Sequence, residues 1–155
     1  MTYRITGLSP EPFAHLIGAP DDLLAKAGAI RVTAAADMGW PCRISLKDAR
    51  AGESLILLNY TSHDVTTPYR SAYAIFVREI ADISAEYTDE TPPVFEDRPM
   101  ALRAFDEAGM LQGAALALPG QADAKIRELF ESDDIAYIYA HNAAHGCFSA
   151  KVGRA

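Results

Sequence analysis

His141 to Phe148, the stretch His-Asn-Ala-Ala-His-Gly-Cys-Phe, holds two of the chain's four histidines and one of its two cysteines. A thiol beside an imidazole is the pairing used for nucleophilic catalysis, because the ring can take the proton and leave a thiolate. That chemistry would make Cys147 the nucleophile and His141 its base. A second polar concentration, Asp37 to Arg43, has the sole tryptophan, Trp40, next to Pro41, Cys42 and Arg43. A third, Asn59 to Ser71, contains His63, Asp64, Tyr69 and Arg70. Arginine forks bind carboxylate or phosphate through paired N–H groups, and His63 with Asp64 offers a further acid/base pair. The candidate ligand-binding set is therefore Trp40, Arg43, His63, Tyr69, Arg70 and His145. A small anion is the expected ligand class, since two arginines stand in these loops of an otherwise acidic chain.

Three other uses compete with this one. His141, His145 and Cys147 have metal-ligand chemistry, which His63 or Cys42 would complete, but their spacing matches no standard zinc pattern. Neither a metal nor a cofactor is expected. Cys42 could instead meet Cys147 in a disulfide if their Cα atoms came within about 7 Å. The plainest alternative is structural: a turn glycine at Gly146, a small strand residue at Cys147, and arginines paired with carboxylates.

The thiol–imidazole pairing depends on how the last two strands align. Ile135 to Ala140 and Cys147 to Val152 both alternate as strands, so the histidine stretch is the turn of a C-terminal hairpin. A five-residue loop places His141 opposite Cys147. One face is then Ala136, Ile138, Ala140, Phe148, Ala150 and Val152, and Tyr137, Tyr139, His141, Cys147, Ser149 and Lys151 share the other. A four-residue loop pairs His141 with Phe148 and Asn142 with Cys147, and moves the tyrosines to the face of Phe148, Ala150 and Val152. Both registers remain open, because a slip of one residue exchanges the faces.

Upstream, Thr2 to Ile5 reads as a short strand, and Ser9-Pro10-Glu11-Pro12 as a helix start with Ser9 as its cap. A second short helix is expected over Asp21 to Ala27, stopped by Gly28. Ile30 to Thr33 is a strand. Gly39 and Pro41 shape a loop, after which Cys42 to Leu46 is expected to extend. Leu55 to Leu58 and Tyr73 to Val77 are apolar enough for buried strands. Asn59 to Arg70 is read as the polar loop between them. Glu86 to Arg98, acidic and proline-rich, reads as an exposed irregular connection. Met100 to Phe105 and Met110 to Leu118 form a hairpin over Asp106 to Gly109. Gln121 to Glu131 is the clearest helix, with Ala122, Ile126, Leu129 and Phe130 on one face.

These elements make an α+β fold: a mainly antiparallel sheet, about three short helices and a C-terminal β-hairpin, expected as one domain over 1–155. Half of the 155 residues are hydrophobic and 23% are charged, ordinary for a globular chain. A net charge of −7 argues against non-specific nucleic-acid binding. No apolar run approaches the roughly 20 residues of a membrane span, and no signal-peptide core follows Met1. A cytoplasmic location with free thiols is expected. The absence of Walker, Rossmann or Gly-x-Ser-x-Gly signatures leaves a non-catalytic structural or interaction protein, such as a homodimer, as the alternative.

Gly39-Trp-Pro-Cys-Arg43, Pro68-Tyr-Arg70 with Ile75-Phe-Val77, and His141 to Phe148 together resemble the bacterial domain-of-unknown-function family 1203. The resemblance extends from about Leu8 to Arg154. It implies a bacterial origin and a self-contained domain, and it assigns no role to any residue.

Overall fold

The computed structural model describes all of residues 1–155. Its strands are β1 (Tyr3–Thr6), β2 (Ile30–Thr33), β3 (Ser54–His63), β4 (Ser71–Arg78), β5 (Glu86–Thr88), β6 (Met100–Phe105), β7 (Leu111–Ala117), β8 (Tyr137–Asn142) and β9 (Phe148–Arg154). They form a six-stranded sheet in the order β5-β1-β9-β8-β6-β7 and a three-stranded sheet β2-β3-β4. Every neighbouring pair is antiparallel, so the α+β class with a C-terminal hairpin stands. Besides a short 3-10 helix, Glu11–Leu16, there are three helices: α1 (Asp21–Lys26), α2 (Pro93–Glu96) and α3 (Ala122–Leu129). No helix is long and apolar enough to cross a membrane.

Alternation along β6, β8 and β9 sends Leu102, Ala104, Ile138, Ala140, Ala150 and Val152 to one face, where they meet Ile126 of α3 and Phe130 just after it in the larger core. Arg154 ties the chain end to the end of that helix, donating to the carbonyls of Phe130, Ser132 and Ile135. A second core joins Phe13, Leu16 and Leu24 of the N-terminal helices to Ile56, Ile75 and Val77 of the smaller sheet. Glu79 locks those helices on. Its carboxylate accepts two N–H bonds from Arg31 at 3.0 Å each, the Ser54 hydroxyl and the Gly18 N–H. These donors, Arg31 foremost, hold the Glu79 pKa down at about 2.

Four expectations are corrected. Asn59 to His63 is strand rather than loop, because β3 runs ten residues alongside β4 as far as a bulge at Thr61/His63. Cys42 to Leu46 is a turn rather than a strand: Cys42 bridges Phe76, and Leu46 is fully buried with φ of 53°. The acidic connection contains both β5 and the one-turn α2, whose Val94 and Phe95 are buried. Ser9 stands outside the helix start, since Pro10 is the N-cap and Ser9 Oγ accepts from the Glu11 N–H at 3.3 Å.

The turn after Cys42 is pinned from several sides. Arg43 N–H donates to Phe76 O on the edge of β4, and Leu8 N–H donates to Arg43 O at 2.7 Å. Ala85 N–H donates to Ile44 O at 2.9 Å. Gly7 lets the two backbones pass, because a Cβ there would lie 2.1 Å from Ile44 O.

Candidate functional site

The hairpin keeps the four-residue register only at the turn; beyond it the strands take a third alignment, which restores the face assignment of the five-residue loop but not its pairs. Ile138 pairs with Val152 and Ala140 with Ala150, then His141 pairs with Phe148, so a β-bulge absorbs Ser149. Near the turn the four-residue loop holds: Asn142 N–H donates to Cys147 O and Gly146 N–H to Asn142 O. Gly146 supplies the left-handed φ of 77° that this turn needs. The bulge keeps Ala140, Ala150 and Val152 in the core while rotating Phe148 to the opposite face. There Phe148 meets Tyr139 and His141 edge to face, with ring centroids 5.4 and 6.1 Å away.

The same turn aims Cys147 at Arg43. Arg43 is 2% exposed, donates from Nε to Phe148 O at 2.8 Å and from Nη1 to Pro41 O at 2.6 Å, and places Nη2 3.0 Å from Cys147 Sγ. Asn142 Nδ2 is a second donor to that sulfur, at 3.3 Å. Burial lowers the Arg43 pKa from its ordinary value, and charge on the Cys147 sulfur acts against that shift; a guanidinium nevertheless stays protonated. Arg31, Arg78 and Arg98 each meet a carboxylate within the protein. Arg43 forms no such pair. Its direct contacts are two carbonyls and one sulfur, so the sulfur is the only contacting group able to become an anion.

A cavity of about 460 Å³ opens beside this cluster, bounded by Pro41, Arg43, Tyr73, Phe76, Asn142 and Cys147, with His145 and Arg98 also on its wall. The size suits a small molecule. Arg98 is already engaged, donating to both oxygens of Asp48 at 2.9 and 2.6 Å. Asn142, 7% exposed, leaves its Oδ1 buried without a hydrogen-bond partner, a condition that native interiors avoid.

The remaining candidates lie elsewhere. A second cavity, about 330 Å³, is bounded by Tyr69, Arg70, Tyr73, Arg103, Tyr139 and His141. Tyr73 lines both spaces, so its ring stands in the wall between them. His141 gives Nδ1–H to Gly146 O at 3.0 Å, because a carbonyl only accepts, and this leaves Nε2 as the acceptor nitrogen. Burial pushes the His141 pKa down to about 4. His141 and Cys147 share no hydrogen bond, so the expected base–thiol pair is not assembled; Arg43 and Asn142 hold the sulfur instead.

His63 is equally occupied. Its Nδ1 donates to Tyr69 O at 2.9 Å and its Nε2 accepts from the Tyr137 hydroxyl at 2.7 Å. Its ring lies 4.3 Å from that of Phe105. Asp64 turns outward to Arg70, leaving no His63–Asp64 pair. Trp40 lines neither cavity and packs on Phe76 with ring centroids 5.4 Å apart. Both cysteines are free, and no three His, Cys, Asp or Glu side chains converge as a metal site.

Thus the concentrations at Asp37 to Arg43 and at His141 to Phe148 meet in one cavity, while Tyr69 and Arg70 of the stretch Asn59 to Ser71 line another. Asn142, Tyr73, Arg98 and Arg103 were not singled out by the sequence. For Asn142 a signal existed, since the four-residue register sets it beside Cys147.

The family model described as "Protein of unknown function (DUF1203)" matches residues 39–154. The match begins at Gly39 rather than near Leu8, and it takes in every residue named on the walls of both cavities. No curated protein and no solved structure matches the chain.

Proposed function

The chain belongs to the DUF1203 family of proteins of unknown function, and from that premise we propose that it binds or acts on a small anionic molecule in the cavity beside Arg43. The observation behind this reading is a buried guanidinium that lines a cavity and has no carboxylate partner. A buried charge without a counter-charge is costly, and an entering carboxylate or phosphate would supply one. Arg43 has five N–H hydrogens, of which three are directed at Phe148 O, Pro41 O and Cys147 Sγ. The other two are available to a ligand. Asn142 contributes an acceptor for a ligand N–H or O–H, and Pro41 and Phe76 give apolar contact.

Calorimetric titration with carboxylates and phosphomonoesters, each against its neutral amide or alcohol, tests this reading. Anions are expected to bind and neutral analogues not. Binding should vanish in Ala144→Trp, which fills the cavity from an exposed turn position. Equal binding of neutral analogues, or unchanged binding in the tryptophan variant, would refute it. A non-catalytic interaction protein is the second reading, favoured by the free edge of β7 with Leu116 59% exposed. Light scattering that finds a dimer broken by Leu116→Lys would support it, and a concentration-independent monomer would end it.

A further inference from the structure

Arg43 lacks an anionic partner, Asn142 Oδ1 lacks any partner, and a partly exposed thiol lies in contact with both side chains. We propose that Cys147 is a nucleophile that exchanges with a carboxylate-bearing low-molecular-weight disulfide held in this cavity. The inference rests on the anion-binding reading of Arg43 and names the ligand class for it.

The step balances without any further reagent. The Cys147 thiol gives its proton to solvent, and the resulting thiolate has Arg43 Nη2 and Asn142 Nδ2 as donors. It attacks one ligand sulfur. The Sγ–S bond forms as the ligand's S–S bond breaks, the electron pair leaves on the departing thiolate, and that thiolate takes a proton from water. Cys147 is oxidised to a mixed disulfide while the departing half of the ligand is reduced.

Charge explains why the disulfide should be anionic. Before attack, thiolate and guanidinium balance each other out of water. Afterwards Cys147 Sγ is neutral and Arg43 has lost its counter-charge, so a carboxylate on the adduct restores it. Simple carboxylates and phosphomonoesters are poor electrophiles for a thiol. Hydrogen peroxide reacts with thiolates but would leave the guanidinium and most of the 460 Å³ unused. Cys42 serves as an internal control: it is 1% exposed, and its sulfur is capped by the N–H groups of Ile44, Ser45 and Arg78.

The test compares oxidised glutathione, an anionic disulfide, with cystamine, a cationic one, by intact mass and peptide mapping of the full chain. A single adduct at Cys147 is expected, forming about tenfold faster with oxidised glutathione, the size of one charge-assisted hydrogen bond. The acidic surface, net −7, would by itself favour the opposite order. Faster or equal reaction with cystamine overturns the substrate class, and no adduct from either overturns the exchange. In each of those events, titration of Cys147→Ser with unreactive S-methylglutathione decides separately whether the anion site exists.

Discussion

His141 allows the sharpest quantitative prediction, because burial rather than a partner sets its charge. The ring is 2% exposed. Desolvation is the main cause that takes its pKa from 6.5 to about 4, and the charges of Arg103, Arg43 and His63 push the same way. The hydrogen bond to Gly146 O opposes the shift without cancelling it. The unfolded chain takes up a proton near pH 6.5, while the folded chain resists until about pH 4. This residue's contribution to stability is therefore fully present above 6.5 and is lost as pH falls through the interval to about 4. The shift, 6.5 minus 4, is worth about 3 kcal/mol in all, of which about 2.5 kcal/mol is lost between pH 7.5 and 4.5. Urea unfolding of the wild type and His141→Asn at those two pH values isolates the effect. The asparagine amide can still donate to Gly146 O but does not titrate, and the carboxylates common to both proteins cancel. The wild type should lose about 2.5 kcal/mol more than the variant. A difference between the two proteins that stays constant with pH, or an imidazole at 141 that titrates near 6.5 by NMR, would refute the reasoning.

Three more predictions concern the supports of the site. Gly7→Ala forces a Cβ to 2.1 Å from Ile44 O, so it should cost about 2–4 kcal/mol in denaturant unfolding. The control Gly153→Ala, which has no neighbour within 4 Å, should change stability by less than about 0.5 kcal/mol. Glu79→Gln removes a carboxylate whose pKa is lowered from 4.5 to about 2; the difference of 2.5 is worth about 3 kcal/mol. That stability is present above 4.5 and is lost as pH falls through 2, so the penalty for Glu79→Gln should drop to about half by pH 3, as urea unfolding would show. Arg43→Met and Cys147→Ala should couple by about 1–2 kcal/mol in a double-mutant cycle; additivity within about 0.3 kcal/mol would mean that the contact of Nη2 with sulfur contributes nothing.

Much of the fold was legible because it follows local rules. The alternation of Met100 to Phe105, the turn over Asp106 to Gly109 and the apolar face of α3 each identify an element without reference to the rest. Failures came where tertiary contact overrode local pattern. Asn59 to His63 is polar yet strand, because β4 supplies its ladder and the aromatic layer receives His63. Val94 and Phe95 sit among prolines and acids, and they fold into α2 because the larger core accepts both side chains. Leu46 adopts a left-handed backbone that few non-glycine residues take. Its fully buried side chain, rather than any propensity, is what holds it there.

The site shows a deeper limit on such reading. Residue types drew attention to Arg43 and Cys147, which the structure brings into contact, but the chemistry assigned to the thiol came from pairing neighbours in sequence, and that gave His141 as its partner. Pairing across a hairpin depends on register, and here a single extra residue, Ser149, decides it. The bulge lets the core residues keep one alignment while the turn keeps another, so His141 faces Tyr73 and Asn142 meets the sulfur. No periodicity in the sequence announces a bulge whose purpose is to reconcile two faces. The partner that replaces the imidazole comes from a turn 104 positions away, fixed by backbone bonds to Leu8 and Phe76 that carry no side-chain signature. An acidic chain has many carboxylates able to neutralise a surface arginine, and Arg43 is buried with none of them as its partner. In this fold the groups within hydrogen-bond reach of that arginine are two carbonyls and the sulfur of Cys147, and that arrangement is the ground of the anion-binding proposal.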